Sequence, residues 1–277
     1  MNPYNELYLR FPGFKTRAVT LSYDDGTVDD RQMVSILNRY GIKCTFNLNA
    51  GKIEDRPERM VQFEEFEELY RGHEIASHTF THPHLRNLDL GGIAYQIIHD
   101  RERLEDVMHR PIQGFAYPYG LRGETDEMVE CLRLCGIRYA RTTNATHQFH
   151  LPQDNLRWDP TCHHSDPALF DLAEDFFKPD DHEHPWRITS KLFYIWGHSY
   201  EFDGQWDLLE KICRTVGGKE EVWYATNGEI IDYVAAFQSL RRSANAKYIY
   251  NPTDTDVYVF VKRKNVLLKK GTVTTLE

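Results

Sequence analysis

The sequence has 277 residues, 41% of them apolar and 27% charged, a balance typical of a globular chain able to bury one large core. Its net charge of −9, from 33 Lys and Arg against 42 Asp and Glu with no basic block, argues against nucleic acid or anionic membrane as a general partner. Five cysteines (Cys44, Cys131, Cys135, Cys162 and Cys213), with no C-x-x-C pair, argue against a disulfide framework or a cysteine-rich zinc site and read as reduced core residues.

The first residues, Met1 to Leu7, lack the basic start and apolar segment of a signal peptide. No stretch approaches the roughly 20 apolar residues that a membrane-spanning helix needs. A cytoplasmic location is the corresponding expectation.

From there the apolar pattern switches repeatedly between strand-like and helix-like. Residues 17–22 predict a strand. Residues 29–40 predict a helix with Met33, Ile36, Leu37 and Tyr40 on one face, and 42–48 the next strand. A helix over 63–71 (Phe63, Phe66, Tyr70), a short strand over 74–77 and a long amphipathic helix over 92–108 follow. Strands are then expected at 114–117 and 139–142, with a helix between them over 125–135. The remaining pairs are a helix at 167–177 and strand at 191–196, a helix at 206–216 and strand at 221–225, and a last helix at 229–240. Gly41, Gly72 and Gly136 each follow a helix, where a left-handed cap is wanted. The weakly periodic stretch 148–184 reads as long loops over one end of the fold.

Such alternation means parallel βα units, and about seven of them suggest a closed or nearly closed barrel. The expected fold class is therefore α/β, a (β/α) barrel over residues 1–242. After Arg242 the pattern changes to alternating strands at 248–250, 256–261 and 266–269, with turns at 251–254 and 262–265. This predicts a small antiparallel β appendage over 243–277.

The residues able to do chemistry cluster at predicted strand ends, which share one face in a βα barrel. Asp24 and Asp25 follow the first strand, in Ser22-Tyr23-Asp24-Asp25-Gly26. His78 and His82 follow the third, in Ser77-His78-Thr79-Phe80-Thr81-His82-Pro83. Pro118-Tyr119-Gly120 follows the fourth, and His198 follows the apolar run ending at Trp196. One aspartate with two imidazoles four residues apart is a ligand set that a zinc-like ion accepts while keeping a position open for water. The second carboxylate can then act as base on that water. Each feature also has a plainer reading: Asp-Asp-Gly as a turn, the histidine pair as solvated loop residues, His198 as a core histidine, Tyr119 as part of a β-turn. His198 could instead protonate a leaving group, and the Tyr119 N–H could face an oxyanion. Trp158, Trp196 and Tyr200 are candidates for an apolar sugar platform, and His163-His164 for loop residues near the mouth. Ser199 beside His198 does not form a nucleophile elbow.

In this order, these residues resemble the polysaccharide deacetylase family, that is, the NodB-homology domain of carbohydrate esterase family 4. The likeness runs from about Thr16 to Leu240. The family's T-F-D-D-G is similar to Ser22–Gly26, which implies Asp24 as base and Asp25 as metal ligand. Its H-[ST]-x-x-x-H is similar to the stretch from Gly72 to Pro83, which implies His78 and His82 as the other ligands. Its last motif is similar to Leu192–His198, which implies His198 as acid. The resemblance implies a distorted barrel, one divalent ion (zinc, with cobalt, nickel, iron or manganese as alternatives), and removal of acetyl groups, N-acetyl rather than O-acetyl, from an acetylated sugar. There are two departures. R-P-P-Y-G becomes Ala116-Tyr117-Pro118-Tyr119-Gly120, so the family's arginine near the base is absent, and Arg141, Arg122 and Arg157 are the candidates to replace it. The motif of an Asp followed by Trp is absent, and Trp158-Asp159 has the reverse order, so His198 has no assigned partner. Competing readings are a cyclic-amide or related carbon–nitrogen hydrolase on the same fold and a non-catalytic carbohydrate binder. A non-haem iron oxygenase is argued against by the lack of a close His-x-Asp pair on an all-β scaffold.

Overall fold

The structure, a computed structural model, describes residues 6–120, 125–181, 183–184 and 188–276. In chain order the elements are β1 (Leu7–Arg10), β2 (Arg17–Asp25), α1 (Asp30–Arg39), β3 (Cys44–Leu48), α2 (Ala50–Asp55), the single turn α3 (Phe66–Leu69), β4 (Glu74–Ser77), α4 (Leu90–Met108), β5 (Gly114–Ala116), α5 (Asp126–Leu134) and β6 (Tyr139–Arg141). There follow β7 (Cys162–His163), α6 (Leu169–Phe176), β8 (Lys191–His198), α7 (Trp206–Val216), β9 (Val222–Tyr224), α8 (Asn227–Gln238), and the strands β10 (Arg241–Arg242), β11 (Tyr248–Tyr250), β12 (Val257–Val261), β13 (Lys264–Leu268) and β14 (Val273–Thr275).

Seven strands form one parallel sheet in the order β6-β5-β4-β3-β2-β8-β7, with β9 beside the first half of β2. The sheet curls until its ends meet through an irregular segment. Trp158 N–H donates to the Ala140 carbonyl at 2.9 Å, Thr142 N–H to the Trp158 carbonyl at 3.0 Å, and Thr161 N–H to the Tyr194 carbonyl at 2.9 Å. The expected barrel is thus present in distorted form, closed where a regular strand would otherwise stand. Part of the stretch read as loops over the mouth, residues 158–163, makes this closure.

The alternation of β2 shows how the sequence builds the wall. Val19, Leu21 and Tyr23 point outward into the core shared with Met33, Ile36 and Leu37 of α1 and Leu209, Ile212 and Val216 of α7; each such buried side chain contributes about 1.5–3 kcal/mol. Thr20, Ser22 and Asp24 point inward. The interior is polar and hydrogen-bonded: Thr20 Oγ1 donates to Asn227 Oδ1 at 2.9 Å, and Asn47 Nδ2 to Ser22 Oγ at 2.8 Å. Half-buried Glu74 accepts from Thr45 Oγ1, Tyr139 Oη and the Gly228 N–H, each at 2.8 Å.

Helix boundaries follow local chemistry. Asp89 caps α4 through the Gly92 N–H at 2.7 Å, and Thr226 with Glu229 forms a capping box on α8. The three helix-ending glycines, Gly41, Gly72 and Gly136, all take positive φ, as their positions require.

The β appendage exists but recruits the N-terminus, which corrects its expected limits. β1 pairs antiparallel with β12, which forms a hairpin with β13, while β10, β11 and β14 make a second three-stranded sheet. Residues 7–10 and 241–242 therefore join residues 248–275 in these sheets rather than the barrel. Ile249, Val257, Val259, Val261 and Leu268 pack with Ala236 of α8. Tyr233 of α8 ties the parts together, donating to the Arg10 carbonyl at 2.7 Å and accepting from the Tyr258 N–H at 2.9 Å. No helix among the described residues is long and apolar enough to cross a membrane.

Candidate metal centre and active site

The C-terminal ends of β2, β4, β5, β6 and β8 converge on one face, as the strand-end pattern predicts. Along a regular strand Asp24 and Asp25 would point to opposite sides. The chain avoids this by giving Asp25 a positive φ of 79°, followed by Gly26 at 72°, so both carboxylates serve the mouth. Thr79, His82 and Tyr119 also take positive φ, and such non-glycine conformations persist where surrounding contacts impose them, commonly at functional sites.

Asp25, His78 and His82 each bring a ligand atom within 4.8 Å of the other two. His78 Nε2 lies 3.1 Å from His82 Nε2, which is 3.7 Å from Asp25 Oδ1. His78 is buried, and its Nδ1 donates to the Ala116 carbonyl at 2.8 Å. That bond puts the ring proton on Nδ1 and leaves the Nε2 lone pair facing inward, the tautomer a metal ligand needs. Burial, ahead of the nearby carboxylates that oppose it, lowers the His78 pKa. Burial and then His78 lower that of His82 to about 3. Both rings are therefore neutral near pH 7. Burial works to raise the Asp25 pKa, but His78, Lys52 and His82 outweigh it and hold the carboxyl at about 2. The three side chains fit a divalent cation in donor type, charge and orientation.

Asp24 sits behind this set, 2% exposed, with Oδ2 3.7 Å from His78 Nε2. Asn47 Nδ2 donates to its Oδ1 at 2.8 Å. Its guanidinium partner is Arg141, whose Nη2 lies 2.5 Å from Asp24 Oδ2 while Nη1 donates to the Thr142 carbonyl at 3.1 Å. Burial pushes the Asp24 pKa up, but Arg141, then His78 and His198, more than offset it, so the carboxyl stays below its ordinary value. Arg141 is thus the arginine that stands beside this aspartate. Arg157 instead pairs with Asp126 and Asp154 at the surface, and Arg122 lies outside the described residues.

His198 ends β8, with Nε2 4.0 Å from Asp24 Oδ2. Its partner, missing from the sequence reading, is Glu201. Glu201 Oε2 lies 3.1 Å from His198 Nδ1 and accepts from the His198 N–H at 3.0 Å, the reciprocal arrangement of a capping box on the turn 199–202. Burial lowers the His198 pKa, but Glu201 and Asp24 overcome it, so the ring holds its proton more tightly than an ordinary histidine.

The aromatic candidates divide. Tyr119 is 58% exposed, stacked on His84 at 3.7 Å between ring centres and edge-on to His82 at 4.5 Å. Tyr200 is 43% exposed and leans on His198. Trp196 is half-buried beneath the Arg141 guanidinium, 4.5 Å from its ring centre. Two expected substrate contacts are corrected. Trp158 is 3% exposed and packs on Tyr139 and Tyr194 in the barrel interior, and Arg141 is fully buried on Asp24; neither presents a surface to a sugar.

Three further residues support the loops. Lys52 of α2 bonds Asp25 Oδ1 at 2.9 Å. Asn49 Nδ2 donates to the His78 carbonyl and, at 2.8 Å, to the Thr79 carbonyl. Buried Asp100 of α4 accepts from Ser77 Oγ at 2.5 Å and the Ala50 N–H at 2.7 Å, and burial raises its pKa to about 7. A signal for Asp100 exists in the sequence, because it interrupts the apolar stripe Ile93, Ile97, Leu104 at helical spacing. Glu201 stands at the capping-box offset from His198; Lys52 has no comparable signal.

Residues 13–140 match the family model for polysaccharide deacetylase. A protein of Arthroderma benhamiae described as a probable peptidoglycan-N-acetylglucosamine deacetylase is 31% identical over 105 residues, which cover 36% of this chain and 22% of its own. The chain thus spans about a fifth of that relative's length. Among solved structures, a proposed polysaccharide deacetylase from Mycobacterium smegmatis superposes with a TM-score of 0.59 at 16% identity, over 85% of this chain and 96% of its own. The Xyl-CE4 domain of a xylanase from the hindgut metagenome of Trinervitermes trinervoides gives 0.54 at 16% identity, over 80% and 92%. These likenesses show a shared barrel fold. With the motif residues gathered at one mouth, residues 13–140 of this chain are similar to the polysaccharide deacetylase family.

Proposed function

We propose that this chain is a metal-dependent carbohydrate deacetylase that hydrolyses acetyl groups, N-acetyl in preference to O-acetyl, on a sugar substrate. The observation that carries the reading is the convergence of Asp25, His78 and His82 beside a second, unshared carboxylate, Asp24, with His198 across from it. A divalent ion held by Asp25, His78 and His82, zinc by donor type, supplies polarisation of the acetyl carbonyl and a more acidic water.

The chain's own residues supply the proton transfers. Asp24 takes the proton from the attacking water; Arg141 keeps it ionised and Asn47 fixes its orientation. The Tyr119 N–H, held in a left-handed turn, faces the developing oxyanion. His198, kept protonated by Glu201, delivers a proton to the leaving nitrogen. The exposed rings of Tyr119 and Tyr200 offer flat apolar faces to a pyranose. The position of Asp24 beside the ligand set favours hydrolysis over mere binding, since a carbohydrate binder has no use for a paired base and acid.

The test combines metal analysis of purified protein with acetate release from a panel of N- and O-acetylated sugars and, as a counter-panel, small cyclic amides. His78→Ala is expected to lose the ion held with Asp25 and His82 and, with it, activity, and Asp24→Asn to keep that ion while losing about 10²–10⁴-fold in rate. Full activity of His78→Ala, or turnover of the cyclic amides alone, would overturn the proposal.

A further inference from the structure

A second group of possible ligands lies in the same mouth, on the far side of His198 from Asp24. His163 Nε2 is 3.2 Å from Glu201 Oε2, and His198 Nδ1 is 3.1 Å from the same oxygen. The three atoms all lie within 4.8 Å of one another. Ligand atoms at about 2.0–2.1 Å from a tetrahedral zinc sit roughly 3.3 Å apart, so two of the three spacings already match a coordination edge. His164 Nε2 is a further imidazole nitrogen 3.5 Å from that oxygen, on a ring held between Tyr23 and Phe202.

The surroundings suit a ligand role. The Ser165 N–H donates to His163 Nδ1 at 3.2 Å, with Ser165 Oγ 2.7 Å from the same nitrogen, so Nε2 carries the proton that points at Glu201; a cation taken up at Nε2 displaces that proton to solvent, as an imidazole ligand requires. The Trp196 ring stands edge-on to His163 at 4.6 Å and fixes the imidazole plane. His163, His198 and Glu201 are each half-buried, which leaves the outer side open to water. Glu201 Oε2 accepts the His198 N–H and also faces two imidazole nitrogens. Three N–H groups thus converge on one carboxylate oxygen, and a cation among the three side chains would take the place of the two ring protons.

We infer that His163, His198 and Glu201 form a second divalent-cation site, distinct from the Asp25–His78–His82 set, and that filling it switches the enzyme off. A cation on His198 Nδ1 takes the place of the proton that Glu201 holds there, and that proton leaves to solvent. The ring then cannot become the doubly protonated imidazolium needed to protonate a leaving group, and Glu201 is withdrawn from its pairing with it. Loss of activity rests on the deacetylase reading; the existence of the site does not.

The experiment titrates Zn²⁺ into the metal-stripped chain by calorimetry, with bound zinc counted after gel filtration, in wild type, His163→Ala, His163→Gln and His78→Ala. Two zinc ions are expected in wild type and one in each of the other three, with inhibition by excess Zn²⁺ in wild type and none in the His163 variants. The two His163 changes guard against one of them failing to fold, checked by circular dichroism. One zinc in wild type that survives in both His163 variants and is lost in His78→Ala would overturn this inference and leave the proposed function intact. One zinc that survives in His78→Ala and is lost with His163 would establish the second site and sink the primary one. Two ions with no inhibition would overturn the switch.

Discussion

Arg141→Met is the most discriminating single change. The guanidinium is fully buried and contacts Asp24, the Thr142 carbonyl and the face of Trp196. Methionine keeps most of the packing volume and deletes the charge. At the 2.5 Å separation of Arg141 and Asp24, an effective dielectric of 20 gives an attraction of about 6–7 kcal/mol. Part of that is offset by the cost of taking both ions out of water, so breaking the pair costs about 3–5 kcal/mol. For a chain of this size that corresponds to roughly 6–20 °C in Tm.

The pH dependence separates charge from packing. In the native protein the Asp24 pKa is depressed, so its stabilisation is present above the unfolded carboxyl value of about 3.9 and is lost as pH falls through the folded value. Without Arg141, burial dominates and the folded pKa rises. Ionised Asp24 then destabilises the fold near neutrality, and acidification relieves the penalty. The difference between variant and wild type, measured by urea unfolding with EDTA present, is expected to be largest at pH 7–8 and to shrink toward pH 4. Adding Asp24→Asn to the variant should recover much of the loss at pH 7. A loss below about 1 kcal/mol, or one that does not change with pH, would refute the assignment of Arg141 as the charge partner of Asp24.

Three further outcomes are expected. Glu201→Gln removes the negative charge that raises the His198 pKa, so the alkaline limb of the kcat/KM profile should move to lower pH, with about a 10–100-fold loss at pH 8; an unmoved limb would separate Glu201 from the acid. Gly197→Ala would place a Cβ 2.0 Å from His164 Nδ1, on a ring confined by Tyr23 and Phe202, and should cost about 1–3 kcal/mol or more in thermal unfolding; an unchanged Tm would mean the ring has room to move. Stripping the metal should lower Tm, and restoring zinc at about 1,000 times its Kd should return about 4 kcal/mol per site; His78→Ala should lose the share of this response that comes from the Asp25–His78–His82 set.

The sequence disclosed the barrel because βα units repeat two distinct periodicities, and it disclosed which candidate side chains would meet because strand ends in such a barrel share one face. What it concealed depends on pairing across long separations or on very short elements. β1 is four residues whose partner lies some 250 positions away, and nothing in Leu7–Arg10 announces an edge in another sheet. β7 is two residues set in a segment that closes the barrel only because its backbone meets both β6 and β8. α2 contains Gly51, where a Cβ would stand 2.7 Å from the Phe80 carbonyl oxygen; the glycine that weakens the helical signal is the one that lets the loop bearing His82 pack closely. Trp158 misled because an aromatic near a strand end is compatible with both platform and core, and only its burial decides.

The missing arginine shows how far register, rather than spacing along the chain, governs a site. The family pattern places that residue at the position of Ala116 on β5. In the structure Ala116 is the register partner of Arg141 on β6. Paired residues on adjacent parallel strands project to the same side of the sheet, about 4.8 Å apart, and an arginine side chain easily spans that distance. Moving the guanidinium one strand over therefore keeps it beside Asp24 and leaves the Ala116 carbonyl free to hold His78 Nδ1. The relocation has a testable corollary. Arg141→Ala combined with Ala116→Arg should recover activity that Arg141→Ala alone loses, because the charge returns to the same face of the same sheet. If the double variant is no more active than the single one with its fold intact, then it is the local packing of Arg141 against Trp196, not the shared face, that makes the arginine effective.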